Sequence, residues 1–162
     1  MKIAFYIGDH SQDSFSEQAG YWLIKLMQKG PYGDITHVEA IHAEHEDGSV
    51  TIASSSLRDN GVRAKVVKLN PLHWIIVDVP SWDVALSIAH LATTLGHKYD
   101  IRGAIATVFL GSQDNDRDFC NEWVATSFLK APGTFSPSQF AAICLSIGQD
   151  VTEEFFANRP LE

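Results

Sequence analysis

Short runs of alternating or unbroken apolar residues fill much of the first half of the chain, and longer runs at helical spacing gather in the second. Lys2 to Ile7 predicts a first strand, Thr36 to Ala43 a second and Ser49 to Ser54 a third. The polar, turn-like Glu44–Gly48 joins the last two as a hairpin. Val62 to Leu69 alternates apolar with basic residues, as a half-exposed strand does, and Trp74 to Val79 is apolar enough for a buried one. Capping-box spacing at Ser14-Phe-Ser-Glu17, followed by Trp22, Leu23, Leu26 and Met27, predicts a helix ended by Gly30, Pro31 and Gly33.

In the second half, Ser81 is the expected N-cap of a helix with an apolar stripe at Val84, Ala85, Ile88, Leu91, Ala92 and Leu95, stopped by Gly96. Gly103 to Leu110 predicts a short apolar helix. Ser112 to Asp118 is a polar, acidic loop suited to a mobile lid. A further helix starts near Cys120 and runs to about Lys130. Ser136-Pro137-Ser-Gln139 opens another, ending at Ile147. The tail from Val151 to Phe156 is expected as a short strand. Consecutive strands followed by helices indicate an α+β fold on a small antiparallel sheet packed against helices. A single domain over residues 1–160 fits the length of 162, with 161–162 read as a possible cloning scar.

Composition narrows the function. Apolar residues make up 45% of the chain and charged ones 20%, with a net charge of -8. That balance argues against a nucleic-acid partner, which calls for clustered Lys and Arg, and against docking on an anionic membrane. No apolar run is long enough for a membrane span and no signal peptide is visible, so a cytoplasmic location is expected. Two cysteines without metal spacing are expected as free thiols. There is no phosphate-binding glycine motif and no GxSxG elbow, so no nucleotide cofactor is expected.

Cys120 is the one credible nucleophile. It stands at a helix start, where main-chain N–H groups stabilise a thiolate, although Asp114, Asp116, Asp118 and Glu122 oppose that charge. Free cysteines are more often buried small hydrophobes. Cys144, in mid-helix among apolar residues, is the internal contrast. Of the seven histidines, His10, His42, His45, His73, His90 and His97 sit where surface or capping roles are usual. His37 lies inside a strand, on the face shared by Glu39 and Ile41, where sheet geometry would hold it as a fixed base. A metal site from His37, His42, His45 and nearby acids is disfavoured, because His37 and His42 have opposite strand parity.

The run Gly33-Asp-Ile-Thr36-His37-Val38-Glu39 resembles the His-bearing strand of circularly permuted, NlpC-like members of the papain-like cysteine peptidases and amidases. Asp118-Phe119-Cys120-Asn121-Glu122-Trp123-Val124-Ala125 is similar to their nucleophile segment, and Ser54 to Arg63 and Tyr99-Asp100 look like bacterial and phage members of unknown substrate. The His strand precedes the Cys helix, the reverse of the ordinary papain-like order. Asn121 stands where Ser is usual, and Ile52 falls near a position where relatives carry a polar orienting residue, often Glu. Ser54 or Glu39 would have to take that part. The resemblance implies a cysteine hydrolase, an amidase or peptidase, with Cys120 as nucleophile, His37 as base, and Ser54 or Glu39 as orienter. Alternatives are an acyltransferase of the same fold acting on lipid or amide substrates, and a non-catalytic binding or structural member. The implied substrate is a small molecule, a peptide or a cell-wall fragment. The location would be the host cytoplasm if the chain is phage-encoded.

Overall fold

The computed structural model describes residues 1–7, 32–99, 117–129, 135–157 and 159. The helix expected after Ser14, the helix expected at Gly103–Leu110, His10, positions 112–116 of the expected lid and positions 161–162 lie outside them. The described part is α+β. Five strands, β1 (Lys2–Tyr6), β2 (His37–Glu44), β3 (Val50–Ser56), β4 (Gly61–Val67) and β5 (Trp74–Asp78), lead into helix α1 (Val84–Thr94). A short parallel pair, β6 (Lys98–Tyr99) with β7 (Arg117–Asp118), precedes α2 (Cys120–Thr126). Then follow α3 (Pro137–Ile147), β8 (Gln149–Asp150) and α4 (Thr152–Ala157). Six strands form one antiparallel sheet in the order β4-β3-β2-β1-β5-β8.

Alternation divides the sheet into two faces. Ile3, Phe5, Val38, Ala40, Ala53 and Val77 meet Trp123, Val124 and Ala125 of α2 and Phe140, Ala141 and Cys144 of α3 in the larger core. Each large apolar side chain buried there stabilises the fold by about 1.5–3 kcal/mol. Ala4, Ile41, Ile52 and Ile76 form a smaller cluster on the other face, closed by Val151 and by Phe155 of α4. One residue of β2, His42, is bulged out, because Ile41 pairs with Ile52 and Ala43 with Thr51.

The sequence expectations hold for the five leading strands and for the Ser136 capping box, in which both reciprocal hydrogen bonds form. Four details differ. Arg117 and Asp118, expected at the end of the polar loop, form β7, paired in parallel with Lys98 and Tyr99. Asp83, not Ser81, caps α1, its carboxylate accepting from the Ala85 N–H at 2.9 Å. The apolar stripe of α1 is not its buried side. Ser87 and Thr94 are buried while Ile88 and Leu95 are exposed, because Ser87 meets His42 and Thr94 accepts the Trp123 indole N–H at 2.8 Å. The tail is a helix rather than a strand. Thr152 takes the Asp150 carboxylate with both its N–H and its hydroxyl, which turns the chain out of β8.

Glycine is required where β4 begins. Gly61 has φ +144°, and a Cβ there would lie 1.9 Å from the His97 carbonyl oxygen. The Val62 N–H bonds that same carbonyl at 2.8 Å, tying the segment before β6 to the end of the sheet where the candidate site lies.

Candidate active site

His37 opens β2 opposite Tyr6, and two residues on Glu39 pairs with Ala4. Strand periodicity therefore puts both side chains on one face, as expected from sequence. The His37 Nε2 lies 2.7 Å from Glu39 Oε1. Glu39 is 1% exposed, and a carboxylate so placed is costly unless it is paired and hydrogen-bonded. Arg63 of β4 supplies the pairing in a bidentate fork. Its Nη1 donates to Glu39 Oε2 at 2.7 Å and its Nη2 to Oε1. Asp59 in turn accepts from Arg63 Nε at 2.6 Å and from Lys65 Nζ at 2.8 Å. The chain of contacts Lys65–Asp59–Arg63–Glu39–His37 thus runs from solvent to the imidazole.

Cys120 is the first residue of α2 and is buried, with Phe119 as N-cap and no side-chain cap. Its thiol is close enough to His37 to couple with the imidazole by charge and hydrogen bonding and lies 3.7 Å from Asn121 Oδ1. The Asn121 amide donates to the Phe135 carbonyl, which fixes Asn121 beside the sulfur. Thus Cys120, His37 and Glu39 come together in one network. Ser54 does not reach the imidazole. Its hydroxyl points to the main chain, 3.3 Å from the Ser55 carbonyl and 3.5 Å from that of Cys120, where it steadies the start of α2. The side chain found at the imidazole is therefore that of Glu39, on the same strand two residues along.

Two features escaped the sequence reading. Arg63 counted only as a basic residue on a half-exposed strand, and Asn121 only as a departure from Ser. A buried strand carboxylate demands a cation, and that demand was the available signal for Arg63. Three other histidines go elsewhere. His42 Nε2 lies 2.8 Å from Ser87 Oγ, and His45 Nε2 2.8 Å from Thr51 Oγ1. His90 packs on the Trp123 ring. Among the described residues no group of three or more His, Cys, Asp or Glu is placed to hold a metal ion, and no helix is long and apolar enough to cross a membrane.

Burial works to lower the His37 pKa, but the charges and hydrogen bonds of Glu39 and Cys120 outweigh it and raise the pKa to about 9. Burial works to raise that of Glu39, and His37 with Arg63 overrides it, lowering the pKa to about 2. Cys144 has no such partners, and burial pushes its thiol up to about 12.

These shifts predict a pH dependence of stability. A raised His37 pKa contributes stability that is complete below its ordinary value of 6.5 and is lost as the pH climbs to about 9. A lowered Glu39 pKa contributes stability that is complete above its ordinary value of 4.5 and is lost as the pH falls to about 2. The joint contribution is greatest between 4.5 and 6.5. Urea denaturation at stepped pH should show a decline above that window in the wild type and a weaker one in His37→Gln. Equal slopes would contradict the pairing.

A depression of about 260 Å³ opens beside the network, with His37 and Glu39 in its wall. Comparison with protein-family models, with curated proteins and with solved structures returns no match for this chain.

Proposed function

We propose that this chain is a cysteine hydrolase acting on an amide or peptide bond, built as a circularly permuted papain-like domain of the NlpC kind. The observation that carries the reading is the series Cys120–His37–Glu39, in which the thiol at a helix start is coupled to an imidazole hydrogen-bonded to a buried carboxylate. The order of the elements supports the permutation, since the His strand β2 comes early and the Cys helix α2 late.

In this reading Glu39 holds Nε2, which leaves Nδ1 to receive the thiol proton. The sulfur attacks the carbonyl carbon, and a C–S bond forms as the carbonyl π electrons move to oxygen. The Cys120 main-chain N–H, in a first turn without a side-chain cap, donates to that oxyanion. As the tetrahedral species collapses the C–N bond breaks, and His37 returns its proton to the departing amine. Water, deprotonated by His37, then cleaves the thioester, releasing the acid and restoring the thiol. Glu39 stabilises the imidazolium throughout and stays ionised.

The burial of Cys120, at 2% exposed, favours a second reading, a non-catalytic binding protein in which the same network is structural. One experiment separates the two. A small acyl-directed electrophile, a peptidyl vinyl sulfone, should add once per chain at Cys120 at neutral pH, with Cys144 untouched by peptide mass mapping. Modification confined to Cys144, or none without denaturant, would leave the binding-protein reading standing.

A further inference from the structure

Helix α1 is amphipathic in the wrong sense for a lone domain. Its inward side is polar. Ser87 and Thr94 are buried, bonded to the His42 ring and to the Trp123 indole N–H, and the half-buried His90 packs on the Trp123 ring. Its outward side is apolar. Ala85, Ala89 and Ala92, spaced by four and then three residues, run down the middle of the exposed face. Leu86 flanks them on one side at 54% exposed, and Ile88 and Leu95 on the other at 48% and 64%. No Asp, Glu, Lys or Arg occurs from Val84 to His97, in a chain of net charge -8. A surface helix turns its apolar stripe to the core and its charges to water. Contiguous apolar surface left facing outward marks a contact to be made.

The charges at the two ends of the helix indicate what covers it. Asp83, exposed, precedes the first turn, and Lys98, exposed, follows the last. Asp83 accepts from the neutral Ala85 N–H, which leaves its charge in place, and neither it nor Lys98 is in an ion pair among the described residues. A helix bounded by an acid at one end and a base at the other is complementary to itself when two copies lie antiparallel. Each Asp83 then comes to the end that carries Lys98 of the partner subunit, and the two helix dipoles oppose. No like charges meet along the seam, although the molecules as wholes repel. The three alanines let the helix axes approach to the short end of the usual range of about 8–10 Å, and Leu86, Ile88 and Leu95 close over them. We propose that this face binds a second copy of the chain, forming a twofold, antiparallel α1–α1 dimer with Ala89 across from Ala92 of the partner subunit. A helix of 11 residues is about 16 Å long. Its face falls short of the about 800 Å² per partner of a stable complex, so association is reversible, with Kd on the order of tens of micromolar. The surface stands whether or not Cys120 is catalytic.

Sedimentation velocity on the whole chain between about 5 and about 500 µM should show a monomer–dimer equilibrium centred on tens of micromolar. Ile88→Glu combined with Leu95→Glu, both at exposed positions, should abolish the dimer without changing circular dichroism or melting temperature. Asp83→Asn, which keeps an N-cap acceptor, and Lys98→Gln should each raise Kd several-fold. Ala89→Cys mixed with Ala92→Cys should form a disulfide between the two new cysteines on mild oxidation, since Cys120 and Cys144 are buried. Ala85→Cys alone should form none, because two copies of position 85 stand at opposite ends of an antiparallel seam. A chain monomeric up to about 500 µM would overturn the proposal. A melting temperature lowered by the double glutamate substitution would then assign the face to another part of the same chain. A dimer indifferent to that substitution, or one cross-linked through Ala85→Cys and not through the mixture, would overturn it as well.

Discussion

Replacing His37 by alanine should slow vinyl-sulfone addition at Cys120 by about 10²–10⁴-fold, the range typical of a positioned general base. The imidazole is the thiol's titratable partner, coupled to it by charge and hydrogen bonding, and its pKa is raised to about 9. Asn121 Oδ1, 3.7 Å from the sulfur, is an acceptor that cannot ionise and so cannot replace it. The readout is the second-order rate of adduct formation by intact mass, with His45→Ala as the control, since His45 is exposed and its ring lies against Thr51. A His37→Ala protein that reacts within a factor of about three of wild type would sink the catalytic assignment, because a rate loss of that size is worth only about 0.6 kcal/mol.

Replacing Glu39 by alanine is the substitution with the largest expected cost in stability, about 3–5 kcal/mol, the range for removing one partner of a buried ion pair. The loss falls on two groups at once. Arg63, whose side chain is 15% exposed, keeps Asp59 but loses its bidentate acceptor, and His37 loses the charge that outweighs its burial. Glu39→Gln keeps an acceptor for Arg63 and should cost less, yet it too should lower the His37 pKa, since desolvation is then opposed by Cys120 alone. Denaturant midpoints measure the first effect and an NMR titration of the His37 ring the second. In Arg63→Met combined with Glu39→Met, the cost should be well below the sum of the two single substitutions. Additive costs, or an alanine variant within about 1 kcal/mol of wild type, would mean that the buried pair contributes nothing measurable.

The strands were legible because alternation and turn residues are local signals, and the Ser136 capping box is local too. The misreadings share a cause. Val151 to Phe156 holds apolar residues that suit either a strand or one face of a short helix, and only the Asp150–Thr152 contact decides between them. On α1 the exposed Ile88 and Leu95 look like a core stripe until Ser87 is seen bonded to a histidine forty-five positions away. At the site, His37 and Glu39 shared a face by parity alone, and Cys120 was singled out by its place at a helix start and by family likeness. Their meeting depends on how α2 docks against β2 and β3, which no spacing reveals. Ser54 and Glu39 stood equal as orienters because both are small-scale sheet neighbours of His37. Their side chains differ in direction, since Ser54 turns to main-chain carbonyls while Glu39 meets the His37 ring.

Strand β4 has a consequence for how copies of this chain behave in concentrated solution. Among the described residues it is the outermost strand of the six, with a neighbour in that sheet on one side. Residues 96 and 97 cover its beginning through the Val62 hydrogen bonds, and beyond them the rim of the sheet could template another chain. Arg63 and Lys65 stand along that strand in ion pairs with Glu39 and Asp59, charged side chains that an incoming strand would have to meet. The ion pairs that hold Glu39 behind the imidazole therefore also act as gatekeepers against edge-to-edge self-association, so a variant stripped of them would trade away solubility along with the order of the site.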